Sequence, residues 1–301
     1  MFGYLLFLAF ALAPDETPFL VRLETTGGME KVGEHFAIRT LTGVVLSEDG
    51  WVVTSAAGLA HRPDAILARL SDGTHCPAEQ AGTDFARNLT LLRLRLPEGK
   101  KLVPAMAAPV EGIAVGRPVQ TLGRGLDADT VLVTYGVLSA TGRIRGLAIQ
   151  TDAHVSAGNY GGLLTDTNRR ALGVLTPFGM ENESPLSGTE LYDSGVGFAI
   201  PFADVLEIFP KLQEGDRKPF PKLGVIFDHP NPMLSGTQIL HVAKETPAEK
   251  IGLRKGDRIL EVDGLPVTRG YDVLKILARR VEGEQVRFGV ERDGKRVDLA
   301  W

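Results

Sequence analysis

Thr42-Gly43-Val44-Val45-Leu46-Ser47-Glu48-Asp49-Gly50-Trp51-Val52-Val53-Thr54 is a pair of short apolar runs on either side of an Asp-Gly dipeptide. Asp and Gly both tolerate the positive φ of a tight turn, so the stretch predicts a β-hairpin. The same rhythm extends in both directions. Ile66-Leu67-Ala68-Arg69-Leu70, Leu91 to Leu96, Pro118 to Leu122, Thr130 to Val137, Ala148 to Thr151, Leu172 to Leu175 and Val196 to Ile200 are further β-type runs divided by turn residues. No helical run separates them, which excludes a parallel α/β sheet and predicts an all-β sandwich or a pair of barrels.

The β rhythm stops at Pro201. Proline at a first helical position, followed by Phe202, Val205, Leu206 and Phe209, predicts one short amphipathic helix. Lys211 to Pro221 is polar and carries two prolines and a glycine, the pattern of a linker. The remainder changes character. Gly236 to Val242 reads as a strand, Thr246-Pro247-Ala248-Glu249-Lys250 as a capped helix start, and Arg258 to Val262 as another strand. Tyr271 to Arg280 carries a helical apolar stripe, and Val286 to Glu291 with Arg296 to Ala300 forms a hairpin around Asp293-Gly294. The expected architecture is mainly β, with a small α/β domain at the end. The domains fall at residues 30–212 and 222–301, with 213–221 as the linker.

The chain has 301 residues, 44% apolar and 23% charged, which accommodates two or three ordinary globular domains. A formal net charge of -4 and the absence of a basic stripe argue against nucleic acid as a partner. Arg279-Arg280 reads as a solvated helix end. Cys76 is the only cysteine, so no intrachain disulfide forms. Adjacent His75 and Cys76 do not complete a metal site, and no cofactor motif is present; Cys76 reads as structural. Residues 1–13 are almost wholly apolar and end in Ala11-Leu12-Ala13, a signal-like segment that predicts export. A cleaved leader and an uncleaved anchor both fit it.

Gly136-Val137-Leu138-Ser139-Ala140, Thr151-Asp152-Ala153, Gly158-Asn159 with Gly161-Gly162, and Gly197-Phe198-Ala199-Ile200-Pro201 follow the opening hairpin in order. In this order and spacing they resemble the HtrA/DegP family, trypsin-like serine proteases with C-terminal PDZ domains. The resemblance implies a trypsin-like double β-barrel and a Ser-His-Asp constellation, in which a hydroxyl attacks, an imidazole takes its proton and a carboxylate orients the imidazole. At the matching positions this chain has Ala57 for the base, Asn88 for the carboxylate and Tyr160 for the nucleophile. Alanine accepts no proton, neutral asparagine does not stabilise an imidazolium, and a tyrosine with pKa of about 10 needs a base to attack. Loss of such a triad removes on the order of a million-fold in kcat where it has been measured. Ser156, His154, His61 and Asp152 lie off the converging positions and are not expected to replace it. Gly158 and the amide of Tyr160 are what remains of the family's anion pocket. Tyr160 is expected to plug the mouth of the former substrate pocket.

Lys222-Leu223-Gly224-Val225, Thr246-Pro247-Ala248, Gly252 to Leu260 and Val262-Asp263-Gly264 resemble the carboxylate loop and following elements of a PDZ domain. A peptide would add as a strand beside Val225, its terminal carboxylate captured by the loop of Leu223 and Gly224. Tyr271, Leu274 and Ala278 are candidates either for the facing groove wall or for the core. The implied partners are C-terminal or unfolded peptides and envelope proteins, in a periplasmic or membrane-associated setting. A homo-oligomer, a trimer in the family, is implied by resemblance alone. Three functions follow as expectations: a catalytically dead peptide-binding scaffold or regulator, an active serine endopeptidase with an unorthodox site, or a holdase chaperone.

Overall fold

A computed structural model describes residues 17–32, 35–109, 113–125, 130–178, 188–191, 193–228, 233 and 236–301. The signal-like residues 1–13 lie outside the described residues. The chain forms two closed six-stranded barrels and then a smaller domain of two antiparallel sheets and two helices. This matches the expected mainly β class.

The first barrel uses β1 (Leu20–Thr26), β4 (Thr40–Val45), β5 (Trp51–Ser55), β6 (Ala65–Arg69), β7 (His75–Asp84) and β8 (Leu89–Leu94), in the spatial order β1-β4-β5-β8-β7-β6. A two-residue ladder, β2 (Lys31–Val32) with β3 (His35–Phe36), lies between β1 and β4 in sequence. The Asp-Gly hairpin pairs Val45 with Val52 and Val44 with Val53. Ser47 Oγ donates to Asp49 Oδ1 at 2.5 Å, and Gly50 has φ of 105°. Two strands here are additions to those read from the sequence. β1 closes the barrel by pairing with both β4 and β6. β7 begins at His75, so Cys76 is a strand residue rather than part of a turn, and it is fully buried. Burial pushes its thiol pKa up, with nearby Asp72 adding to the effect, which leaves the thiol unreactive.

The second barrel uses β9 (Pro118–Gly123), β10 (Leu132–Gly142), β11 (Ala148–Thr151), β12 (Leu163–Thr165), β13 (Ala171–Leu175) and β14 (Gly197–Pro201). A one-turn helix α1 (Arg143–Gly146) joins β10 to β11, with Ile144 and Arg145 in left-handed conformation at φ of 50° and 54°. Pro201 caps α2 (Phe202–Gln213) rather than opening it, and the helix continues through Pro210 into the stretch read as linker. Phe202, Val205, Ile208 and Leu212 recur at helical spacing and are buried between the barrels with Val44, Leu91, Val174 and Ile200. Removing one such buried Leu or Ile side chain costs about 2–5 kcal/mol. Trp51 of β5 meets Phe209 of α2 edge-on, with ring centroids 6.1 Å apart.

The smaller domain comprises β15 (Val225–Phe227), β16 (Ile239–Val242), α3 (Pro247–Lys250), β17 (Arg258–Val262), β18 (Leu265–Pro266), α4 (Gly270–Ala278), β19 (Arg287–Arg292) and β20 (Lys295–Ala300). Its sheets run β15-β16 and β18-β17-β19-β20 around a separate core that includes Ile239, Ile259, Val273, Leu277 and Phe288. The connecting residues do not dangle. Arg217 exchanges backbone hydrogen bonds with Thr83 and Phe85 of the first barrel. Lys218 and Phe220 then bond to Glu282 and Arg280 of the smaller domain.

Candidate functional site

Ala57, Asn88 and Tyr160 come together where the two barrels meet, and each is at most 5% exposed. Ala57 lies in a 3-10 turn after β5, its amide donating to Ser55 Oγ at 3.3 Å. Ser55 Oγ lies 2.7 Å from Thr176 Oγ1, which donates to the Asn88 carbonyl at 3.1 Å. Because Thr176 gives its proton to that carbonyl, Ser55 is the donor between the two hydroxyls. Asn88 sits in the left-handed region at φ of 55°, a conformation that asparagine tolerates better than most residues. Its side-chain amide donates to the Pro177 carbonyl at 3.0 Å. The seam between the barrels is thus a continuous polar strap with no imidazole and no carboxylate in it.

The nucleophile-position loop is equally committed. The Asn159 amide donates to the Ser156 carbonyl at 2.9 Å, and the Tyr160 amide to the Ala157 carbonyl at 3.3 Å. Ser156 Oγ and its amide both bond to Asn159 Oδ1. The Tyr160 carbonyl accepts from the Thr42 amide, and the Gly158 carbonyl accepts from Thr42 Oγ1 and the Gly125 amide. Gly161 has φ of 81°, and a Cβ there would stand 2.0 Å from the Thr42 carbonyl oxygen, so the loop requires glycine. The Tyr160 side chain is buried in the cluster formed by Val119, Leu138, Ile149, Val155 and Leu164 of the second barrel. An anion pocket requires the amides at 158 and 160 to converge on one point. Here the Tyr160 amide turns to its own chain, while the Gly158 amide meets no acceptor among the described residues.

Neither His154 nor His61 rebuilds a triad. His154 Nδ1 lies 2.6 Å from Asp193 Oδ1, but Ser156 gives its hydroxyl proton to Asn159. Asp152 accepts from the Val137 amide. His61 is buried, with Nε2 3.1 Å from Thr25 Oγ1. Thr25 donates to the Arg39 carbonyl, so His61 donates to Thr25 and takes no proton from it. Its Nδ1, the unprotonated nitrogen of that tautomer, is buried without a donor among the described residues. Burial lowers the His61 pKa, and the Arg39 charge adds to the shift.

In the smaller domain the Leu223 carbonyl accepts from the Ala248 amide and the Gly224 carbonyl from the Ala243 amide. The Leu223 and Gly224 amides meet no acceptor among the described residues. Gly224 has φ of 83°, and a Cβ there would come within 2.4 Å of Thr246. β15 begins at Val225 and, among the described residues, pairs only with β16, leaving its other edge unpaired there. The start of α4 packs against β15, since a Cβ at Gly270 would lie 2.5 Å from the Phe227 ring. On α4, Val273 and Leu277 are the fully buried core positions. Tyr271, Leu274 and Ala278 form a second, half-buried stripe. The sequence did not separate these two stripes.

Arg279 and Arg280 follow the end of α4 with side chains 46% and 36% exposed, as expected of a solvated helix end, but each also has a fixed partner. Arg279 bonds to Asp204 of α2 and to the Gly146 carbonyl, and Arg280 to Asp263. They lie at the junction of the domains, a contact between residues far apart in sequence that local periodicity does not report.

Two barrels with a converging interface, followed by a domain with a free strand edge and an amide-lined loop, define a trypsin-fold protein with a PDZ domain. The trypsin-like peptidase domain family matches residues 41–174, and the PDZ domain family matches residues 221–300. The chain is 28% identical over 304 residues to the serine endoprotease DegS of Escherichia coli (strain K12), covering 94% of this chain and 81% of that relative. It is 28% identical over 272 residues to a probable periplasmic serine endoprotease, DegP-like, of Pseudomonas putida (strain W619), covering 86% of this chain. The chain spans about half the length of such DegP-like relatives, 54% in that case. Among solved structures it is similar to the HtrA-type protease AlgW with tripeptide, at TM-score 0.72 and 26% identity over 94% of this chain and 92% of that one. The AlgW complex with decapeptide gives TM-score 0.70 at 25% identity, covering 94% of each chain. The chain thus carries a trypsin-like peptidase domain followed by a PDZ domain and is homologous to the HtrA proteases.

Proposed function

We propose that this chain is a non-hydrolysing HtrA-family protein that binds the C-terminal ends of peptides or proteins through its PDZ domain, as a scaffold or regulator in the cell envelope. The observation that carries the reading is the chemistry at the barrel seam. Ala57, Asn88 and Tyr160 supply neither base nor carboxylate, and the Ala57 amide, the Asn88 side chain and the Tyr160 backbone are engaged in structural bonds. Hydrolysis needs a nucleophile and a base within about 3 Å of each other, and a donor pair for the oxyanion. The buried Tyr160 ring supports its role as a plug of the former pocket.

Peptide binding rests on the free edge of β15 and the unclaimed Leu223 and Gly224 amides. A terminal carboxylate satisfies those amides, and the stripe of Tyr271, Leu274 and Ala278 offers an apolar wall for the peptide side chains. The envelope setting rests on the signal-like residues 1–13 and on the names of the DegP-like relatives.

A second reading, an active endopeptidase, is favoured by the names of the relatives and by the His154–Asp193 pair. Casein incubated with concentrated protein separates the two. The first reading expects no cleavage above buffer. Cleavage abolished by Tyr160→Phe or His154→Ala would sink it. Capture of envelope proteins on the intact chain, lost on Gly224→Val, tests the binding half.

A further inference from the structure

Between the second barrel, α2 and α4 lies a cleft of about 550 Å³ whose walls come from both domains. Its size is that of a small-molecule site, and domain junctions are common places for one. Ile208, Leu265, Pro266 and Ile276 give it an apolar side.

The charge pattern is specific. Arg217 is held by Asp84 and Glu284, each at 3.6 Å, Arg279 by Asp204, and Arg280 by Asp263. Lys275 shares Asp272 with Arg269. Arg145 and Lys211, both exposed on the lining, make no ion pair or side-chain hydrogen bond among the described residues. Arg87 also lines the cleft, with its side chain only 4% exposed. Its Nη1 donates to Asp84 at 2.9 Å, but its Nε is buried without an acceptor. Glu207 is the one lining carboxylate without a partner among the described residues. With Glu207 counted against Arg145 and Lys211, the mouth of the cleft keeps an excess of one positive charge.

We propose that this cleft binds a phosphomonoester. A phosphate monoester carries about −1.5 to −2 charge at pH 7 and three acceptor oxygens, enough to bridge Arg145 and Lys211 and to outweigh the repulsion of Glu207. The apolar side accommodates the organic body that an inorganic ion lacks. The backbone supports the assignment, because left-handed Ile144 and Arg145 hold a strained turn at this wall. The site is separate from the peptide groove and does not rest on the peptide-binding reading.

The test is calorimetry on the full chain with glycerol 3-phosphate, and with glycerol as the uncharged control. Lys211→Glu and Arg145→Glu are suited to it, since neither side chain holds a partner that folding needs. Binding of glycerol 3-phosphate, none of glycerol, and a loss of about tenfold or more in each variant are expected. Equal heats from both compounds, no binding at millimolar concentration, or unchanged affinity in both variants would overturn the proposal. Sedimentation with phosphatidylcholine vesicles, with and without phosphatidic acid, identifies the source. Retention only with phosphatidic acid, lost in the variants, assigns a lipid headgroup. No retention alongside soluble binding assigns a free phosphomonoester.

Discussion

The Tyr160 amide donates to the Ala157 carbonyl at 3.3 Å, so this amide is bonded within its own loop. Side-chain loss and loop conformation thus act in the same direction. Tyr160→Ser alone is expected to leave peptide hydrolysis at background, because the hydroxyl it adds has neither a base nor a donor pair. A fluorogenic peptide assay checks this; turnover well above buffer would refute it. Tyr160→Ala removes a large buried ring and is expected to cost about 3–5 kcal/mol, read by urea unfolding.

Asn88 donates to the Pro177 carbonyl, so restoring a carboxylate there sets acceptor against acceptor. Asn88→Asp is expected to destabilise the fold by about 1–3 kcal/mol at neutral pH without raising activity. The deficit should shrink in acid, where the introduced carboxyl is protonated and can donate. Chemical denaturation at two pH values reads both effects.

His61 links stability to pH. Its pKa in the folded protein is lowered, first by burial and then by Arg39, so the unfolded chain binds more protons below the ordinary histidine range. The contribution is therefore constant at neutral pH and is lost progressively as pH falls from about 6.5 toward the lowered folded value. Arg39 and Thr25 face the ring on one side, and Asp64 packs near Gly27 close by. His61→Gln is expected to flatten the fall in Tm between neutral and mildly acidic pH, measured by scanning calorimetry. An identical slope in both proteins would assign the effect elsewhere.

Gly224→Val forces a β-branched residue into positive φ and against Thr246. Loss of C-terminal peptide binding by at least about tenfold is expected, with the barrels retaining their unfolding transition. A peptide array bound equally by both proteins would show that another loop takes the carboxylate.

Asp272 anchors the start of α4. Burial opposes its ionisation, but hydrogen bonds from Arg269, Lys275 and the Thr268 and Arg269 amides outweigh it and hold the carboxyl below its usual range. That support is present above the ordinary carboxylate pKa and is lost as pH falls through the depressed one. Asp272→Asn is expected to weaken the helix start by about 1 kcal/mol and to loosen peptide binding with it. Fluorescence titration of a labelled peptide reads the change.

The hairpin around Asp49-Gly50 was legible because turn chemistry and apolar runs are local. β1 was not, since Leu20 and Leu23 find their partners in β4 and β6 well downstream. The identities of Ala57, Asn88 and Tyr160 could be read from motif order. Their bonding partners could not be read, because Thr176, Pro177 and Ala157 reach them only through barrel closure and loop geometry. Likewise Arg279 reads as an ordinary surface residue until Asp204 and Gly146 are folded against it.

Arg217 takes part in backbone bonding with the first barrel and salt-bridges both Asp84 and Glu284. A nicking enzyme added to the native protein would find little slack in this stretch to grip. Heating should melt both halves in a single endotherm, and severing that joint genetically should split it in two.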